Sequence, residues 1–504
     1  MTLSKSNYIS FLIHPAYLWL KKYEKYKLPP IDEAKQDIFD AGNLFESYVE
    51  KLYPEATKIG FDRDNFDTYK SMPKRTKEAI DSGINIILQG RLESNNTTCI
   101  FDVIKKVKEN TFDLIEIKSS SSPKPEHSYD LAFQKQVLEE AGLNIRKTSV
   151  IHYNKDYVRQ GEIDVEKLTA EVDVTKEVNS LKEITKTQIR EALNVLDLTE
   201  CPNVSPRYIN QLQITETDWK DYWMEIFFYI KKDIPDSSIY KLCKLNPDLI
   251  ATLEDMGIED IKDIPEDLEN LHPKQLTQIQ TTKTGNRIIN KEEIKEFIES
   301  LEYPFYFFDY ETFANVIPFF DGTKPYQSYP FQYSLHIQDS PTAEVKHTEY
   351  LHTEKSNPMP QLIEKMKKDF GDKGTILTWN MTYEKKCNER MAEIYPKYRK
   401  FLLGLNKRIN DLMIPFSKQW FIDKDFLGSA SIKQVLPVLI PELSYKELDV
   451  SDGMKARRLW TQTVLEDKNT WNKDEIFQDL RNYCKLDTYA MVRILEVLKD
   501  IIKT

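Results

Sequence analysis

The chain has 504 residues, 40% of them hydrophobic and 12% aromatic, which suits two or three well-packed domains and argues against disorder. Only 14 glycines occur, and the absence of a Gly-Lys-Ser/Thr phosphate loop and of a dinucleotide fingerprint removes ATPases and Rossmann oxidoreductases from the front rank. A formal charge of −11 weakens a reading as a general nucleic-acid coat, yet leaves room for a local basic groove beside catalytic carboxylates.

Five cysteines, Cys99, Cys201, Cys243, Cys387 and Cys484, are scattered without a Cys-x-x-Cys pair. That suits a reducing compartment and offers no framework for disulfides, zinc or an iron–sulfur cluster. The opening residues lack the basic region and apolar core of a secretion signal, and no apolar run approaches the roughly 18 residues that a membrane span needs. The expectation is a soluble, cytoplasmic protein with no membrane partner.

From the N-terminus, helical spacing gives way to short runs at 84–92, 98–107 and 112–119, which predict three strands with a polar turn at 108–111. A helix is predicted over 127–141, closed by Gly142 at a C-terminal cap position, with a further strand at 147–153. Residues 155–200 are highly charged with helical spacing, and 201–300 read as mostly helical. Within that section, 239–265 has a Gly257-Ile258 turn between two short helical patterns, loosely like a phosphate-binding helix–hairpin–helix, although such turns also serve as plain linkers.

A new domain starts near Tyr303. Strands are predicted at 305–310, 331–338 and 345–351, then a helix at 360–370, a strand at 374–379, a helix at 383–394 and a long closing helix from about Lys473. Three strands, helix, strand, helix is the order of a ribonuclease-H-like core. The expected division is residues 1–200, a helical middle section 201–300, and 301–504.

Asp309 and Glu311 sit two residues apart where an apolar strand runs out, so period two turns both to one face. Carboxylates held side by side repel unless a cation lies between them, and hard oxygen donors suit magnesium or manganese. The other reading is an exposed strand end with solvated charges, which the aromatic run just before it disfavours. On the closing helix, Ile476, Leu480, Tyr483, Asp487, Met491, Ile494, Leu498 and Ile501 form one stripe, apolar or aromatic except for Asp487. A carboxylate on such a stripe is costly unless that stretch faces a metal-filled cleft or rotates out of the core. Residues 378–384 add a strand ending in Asn380, followed by the pair Tyr383-Glu384.

Taken in order, Asp-x-Glu, Asn-x-x-Tyr-Glu and Tyr-x-x-x-Asp resemble the motifs of the DEDD exonucleases, the DnaQ-like proofreading superfamily, in its tyrosine-bearing subclass. The resemblance covers residues 303–504. It implies two-metal phosphodiester hydrolysis, with Asp309, Glu311, Glu384 and Asp487 holding two magnesium or manganese ions about 4 Å apart. It also implies that Tyr483 positions the attacking water and that nucleotides leave from the 3′ end. Glu384 stands where Asp is usual, one methylene longer, which bears on metal spacing.

In the first domain, Glu116 and Lys118 share a strand face, and the polar turn brings Asp102 alongside. Two readings stand: a metal held by Asp102 and Glu116 with Lys118 beside it, and a Glu–Lys pair on the wet face of a sheet. The arrangement resembles the PD-(D/E)xK nucleases, especially their RecB-like branch. That resemblance adds Glu46, on an early helix, to the metal site. It makes Gln134, with Asp130 one turn earlier, a nucleic-acid-contacting residue, whereas Leu138 stands in place of the branch's tyrosine. Relatives in this branch often carry a four-cysteine iron–sulfur cluster. Here His14-Pro15 replaces a Cys-Pro and only Cys201 remains near 201–223, so no cluster is expected.

The whole chain is similar to a bacterial family that fuses these two nuclease domains. The likeness is carried by Leu3-Ser4-Lys5-Ser6-Asn7-Tyr8, by Phe308-Asp309-Tyr310-Glu311-Thr312, and by residues 428–437 followed by Leu443-Ser444-Tyr445. Lys433, in the last of these, reads either as a phosphate contact or as a solvated loop lysine, and Asp411 reads as a structural helix residue. The function expected is a metal-dependent nuclease of DNA or RNA, a 3′-to-5′ exonuclease with a second nuclease site at the N-terminus, serving genome defence or repair. One live site beside a decayed one, a non-catalytic nucleic-acid-binding scaffold and a partner-triggered effector are the rivals. Protein partners and a homo-oligomer are not legible.

Overall fold

A computed structural model describes residues 2–209, 218–468 and 470–503; part of the 201–223 stretch read for cysteines, residues 210–217, lies outside the described residues. The protein is mixed α/β and divides into two compact units, Met1–Ile234 with Val316–Tyr326, and Pro235–Asn315 with Gln327–Thr504. Among the described residues no helix is long and apolar enough to cross a membrane.

The first unit holds β1 (Leu3–Ser4), β2 (Thr57–Lys58), β3 (Ile86–Ser94), β4 (Thr97–Lys108), β5 (Thr111–Lys118), β6 (Asn144–Tyr153) and β7 (Thr169–Asp173). They form one sheet in the order β2-β3-β4-β5-β6-β7, with β1 paired to β4. β3, β4 and β5 are an antiparallel meander, and β6 runs parallel to β5. A parallel step needs a crossover, which the Pro125–Glu140 helix supplies. Gly142 follows it at φ +99, the left-handed geometry expected after a helix end. Alternation along the strands sorts the apolar side chains into two clusters. Phe112, Leu114 and Val150 pack with Leu131, Phe133 and Val137 of the crossover helix, whereas Ile115, Ile117 and Ile151 pack with Phe45 and Val49 of the Glu33–Val49 helix. β7 corrects the helical reading of 155–200: a five-residue strand lies there between short helices.

The second unit contributes β8 (Ile288–Ile289), β9 (Phe305–Phe313), β10 (Tyr329–Gln338), β11 (Lys346–Leu351), β12 (Thr375–Thr378), β13 (Ile409–Asp411) and β14 (Phe421–Ile422). Five of them form a sheet ordered β11-β10-β9-β12-β13, and β8 pairs with β14. β9 is central, antiparallel to β10 and parallel to β12. On one face Phe370, just after the Met359–Asp369 helix, meets Phe308 edge-on at 5.1 Å. On the other lies the Lys473–Lys503 helix, whose Leu480 carbonyl accepts from Gln332 at 2.9 Å. β9 runs on through Phe313, so Asp309 and Glu311 lie within the strand and not at its end. The 239–265 stretch holds one α-helix, Pro247–Asp255, between the 3-10 turns Ile239–Lys241 and Ile261–Asp263. The second helical pattern there serves a small core of Ile250, Leu253, Ile261 and Ile264, so no helix pair flanks Gly257.

Candidate metal centre

β12 pairs with β9 only at Phe305, Tyr306 and Phe307, and then leaves the sheet after Thr378. The β12 side of β9 is therefore open from Phe308 onward, at the carboxyl ends of two parallel strands, where α/β sheets form crevices. A cleft of about 610 Å³ lies there, and Asp309, Glu311, Glu384, Asp487, Tyr483 and Lys433 all line it.

Each carboxylate has its own support. Asp309 and Glu311 share a face of β9 through period two. Glu384 occupies the first turn of the Met381–Ile394 helix. That helix starts from Asn380 in the left-handed region at φ +75, and Asp411 accepts the backbone N–H groups of Asn380 at 3.0 Å and Met381 at 3.2 Å. Asp411 thus satisfies amides that the helix start leaves orphaned, a structural role played from the end of β13 and not from within a helix. Asp487 projects from the closing helix and accepts a 2.6 Å hydrogen bond from the Tyr445 phenol. Tyr483, one turn before Asp487, has its ring centroid 6.1 Å from that of Tyr445. Lys433 sits on the Ile432–Leu439 helix, not in a loop, and donates to the Ser451 carbonyl at 2.8 Å. Its ammonium lies 5.8 Å from the centre of the Tyr445 ring and 5.7 Å from that of Tyr483.

Burial and mutual repulsion dominate the electrostatics. Burial, followed by the charges of Asp487, Glu311 and Glu384, pushes the Asp309 carboxyl well above the usual range. Burial and Asp487 do the same to Glu311, against the pull of Lys433. Burial raises Glu384 to about 8 and Asp487 to about 6, the latter tempered by the Tyr445 hydrogen bond and Lys433. Among the described residues none of the four makes an ion pair, and Glu384 Oε2 is buried with no hydrogen-bond partner. An orphaned carboxylate oxygen within a set of self-repelling acids fits a hard divalent cation, and these four residues are the ones that would hold it. Sequence reasoning missed Cys484. Its Sγ and one oxygen each of Asp309 and Glu311 lie within 4.8 Å of one another, the tightest potential ligand group among the described residues. Tyr445 was legible only as part of a family motif, with no spacing signal for its role.

In the first unit the expected residues also meet, with different chemistry. Lys118 Nζ lies 2.7 Å from Glu116 Oε1 and 2.8 Å from Asp130 Oδ2. Lys5 joins them, 2.9 Å from Glu116 Oε1 and 3.6 Å from Asp130 Oδ1. Glu116 is 1% exposed, which removes the wet-face reading. Burial alone would raise its carboxyl, but Lys118 and Lys5 hold it well below the usual range. Asp102 accepts the Ile117 N–H at 2.7 Å, and burial and Glu116 push it up to about 8. Glu46 accepts from Gln89. Gln134, expected to touch nucleic acid, is fully buried and donates to Glu116 at 2.7 Å and Asp130 at 3.0 Å, while Leu138 is core.

Comparison with known proteins adds a family and two relatives. Residues 306–431 match a family described as Domain of unknown function (DUF2779). The chain is 23% identical over 323 residues to "Uncharacterized protein UU173" of Ureaplasma parvum serovar 3, an alignment covering 59% of this chain and 45% of that protein. It is 22% identical over 219 residues to "Uncharacterized protein MG366" of Mycoplasma genitalium, covering 39% and 32%. The chain spans less than half the length of these curated relatives. The family match includes Asp309, Glu311 and Glu384 and stops before Tyr445, Tyr483 and Asp487, so it carries three of the four carboxylates.

Proposed function

We propose that this protein is a divalent-metal-dependent nuclease that hydrolyses phosphodiester bonds of DNA or RNA from the 3′ end, with its active site in the carboxylate cleft of the second unit. One observation carries the reading: four carboxylates from three separate elements converge on one cleft, among the described residues none of them has a counter-ion pair, and one of their oxygens is orphaned. A central strand antiparallel on one side and parallel on the other, with the acids at its open edge, supports likeness to the ribonuclease-H-like core of DnaQ-like exonucleases.

Asp309, Glu311, Glu384 and Asp487 would hold magnesium or manganese. Bound there, two such ions supply the nucleophile and neutralise the charge that develops on the phosphodiester. Tyr445 fixes the direction of Asp487 through its 2.6 Å hydrogen bond. Burial and Asp487 hold the Tyr483 phenol protonated far above its usual range, so it acts as a neutral donor that orients water or substrate. Lys433 offsets part of the negative charge on Glu311 and Asp487.

The first unit's sheet supports likeness to the PD-(D/E)xK nucleases. Because Lys5, Lys118 and Gln134 already satisfy Glu116, we place the cleavage in the second unit's cleft and assign Glu116 no step in it.

The test is cleavage of end-labelled single- and double-stranded DNA and RNA in EDTA, magnesium or manganese. Wild type, Asp309→Ala and Glu116→Gln are compared. Metal-dependent shortening from the 3′ end, lost in Asp309→Ala and kept in Glu116→Gln, supports the assignment. Binding without turnover in any metal replaces it with a nucleic-acid-binding scaffold.

A further inference from the structure

The wall of the cleft facing Glu311 is the Gly453–Trp460 helix. Its far end is fixed: Trp460 is fully buried, stacks on Phe331 at 4.3 Å and donates its indole N–H to the His352 carbonyl at 2.7 Å. Its start is fixed too, because Asp452 caps it by accepting the Lys455 N–H at 2.8 Å. Gly453 comes so close to the acids that a methyl group there would sit 3.4 Å from Glu311 Oε2. Arg457 lies four residues on, hence on the same face of the helix and about 6 Å further along its axis. It lines the cleft together with Gly453 and Met454.

The cleft therefore presents two cations, and they differ. Lys433 is tied to the Ser451 carbonyl and lies over two aromatic rings. Arg457, among the described residues, makes neither an ion pair nor a side-chain hydrogen bond, although five carboxylates, Asp452 included, line its cleft. A guanidinium placed to balance those acids would pair with them. One held on a rigid helix beside them, with all its donors uncommitted, suits a ligand that brings its own anion. Its planar fork matches a phosphate, which accepts two parallel hydrogen bonds. A polyanion entering an acidic cleft also needs positive charge beyond the metal positions, and Arg457 supplies it one helical turn beyond Gly453, the residue that abuts Glu311.

We infer that Arg457 grips a backbone phosphate of the nucleic-acid strand lying in the carboxylate cleft. The inference rests on the nuclease reading and adds to it a substrate-binding residue outside the acidic set.

The experiment uses the full chain and a single-stranded DNA and a single-stranded RNA oligonucleotide, with magnesium, over a range of salt. Wild type, R457A and R457K are compared. Ala456 and Trp460, not Arg457, anchor the helix, so R457A should melt with the wild type; R457Q takes its place if it does not. The expected result is a KM raised roughly tenfold in R457A with little change in kcat. The slope of log KM against log salt should also flatten by about 0.7, the loss of one phosphate contact. R457K should recover the slope, because the charge remains, but only part of the KM, because the fork does not. An R457A protein with wild-type KM and salt slope, alongside an inactive Asp309→Ala, overturns the inference and leaves the nuclease reading standing. A wild type that neither binds nor cuts either oligonucleotide overturns both.

Discussion

The Tyr445 phenol donates a 2.6 Å hydrogen bond to Asp487 from 42 residues away in sequence. Two tyrosines thus attend one carboxylate, and they do so to different degrees. Tyr445 makes the 2.6 Å bond and the stronger pull on Asp487, whereas Tyr483, one helical turn before it at the cleft wall, acts on that carboxyl more weakly. Partners that orient a metal-holding carboxylate typically matter 10–100-fold in metal affinity or activity, so Tyr445→Phe should raise the magnesium concentration needed for half-maximal cutting by roughly that factor. Tyr483→Phe should instead lower kcat at saturating magnesium. A magnesium titration of both variants checks this, and identical titration curves for wild type and Tyr445→Phe would remove the orienting role.

The acids also set a pH dependence. Glu384 at about 8 and Asp487 at about 6 hold their protons to higher pH in the folded protein than the ordinary carboxylate range of about 4. Between those limits the folded state binds more protons than the unfolded state, so stability falls as pH rises. Asp102 in the first unit, at about 8, acts in the same direction. Glu116, held low, acts in the opposite direction, but only below the ordinary range, where the protection it gives is lost as pH falls. Burial holds five histidines, His14, His127, His336, His347 and His352, below their ordinary range, and they act against the raised carboxyls below about pH 6.5. The carboxyls decide only above it, so in EDTA the protein should melt lower at pH 8 than at pH 7. Manganese should raise the melting temperature more at pH 8, because fewer protons must leave on binding. A melting temperature that climbs from pH 7 to pH 8 in EDTA would contradict this.

Glu116 is wedged between two ammonium groups, Lys5 and Lys118. Truncating it leaves Asp130 as the one carboxylate paired with both lysines, and removing one partner from a buried pair typically costs about 3–5 kcal/mol. Glu116→Ala is accordingly expected to unfold at clearly lower urea concentration than wild type, and Lys5→Met less so, since Lys118 still pairs with Glu116 and Asp130. Equal urea midpoints for Glu116→Ala and wild type would show that the cluster contributes nothing to stability.

Local periodicity made much of this molecule legible. Period two put Asp309 and Glu311 on one strand face, and the 3.6-residue stripe singled out Asp487 and Tyr483, because each signal lies within one element. What it missed depends on contacts between distant segments. Lys5 reaches Glu116 across 111 residues, Tyr445 reaches Asp487 across 42, and Arg457 enters the cleft because Gly453 allows its helix to approach Glu311. Cys484 lies just off the apolar stripe, and nothing in its spacing distinguishes it from a core thiol. β1 and β2 have two residues each, too few for an alternation to register. Gln134 was located by family likeness, but its burial turns its amide inward to Glu116 and Asp130.

The central claim, that Asp309, Glu311, Glu384 and Asp487 hold divalent ions, is tested most directly by titrating manganese into the full chain and following the free ion by electron paramagnetic resonance. Wild type should take up two ions per chain, and a folded Asp309→Ala protein should lose that uptake. No uptake by the wild type, or equal uptake by Asp309→Ala, would contradict a metal centre in this cleft.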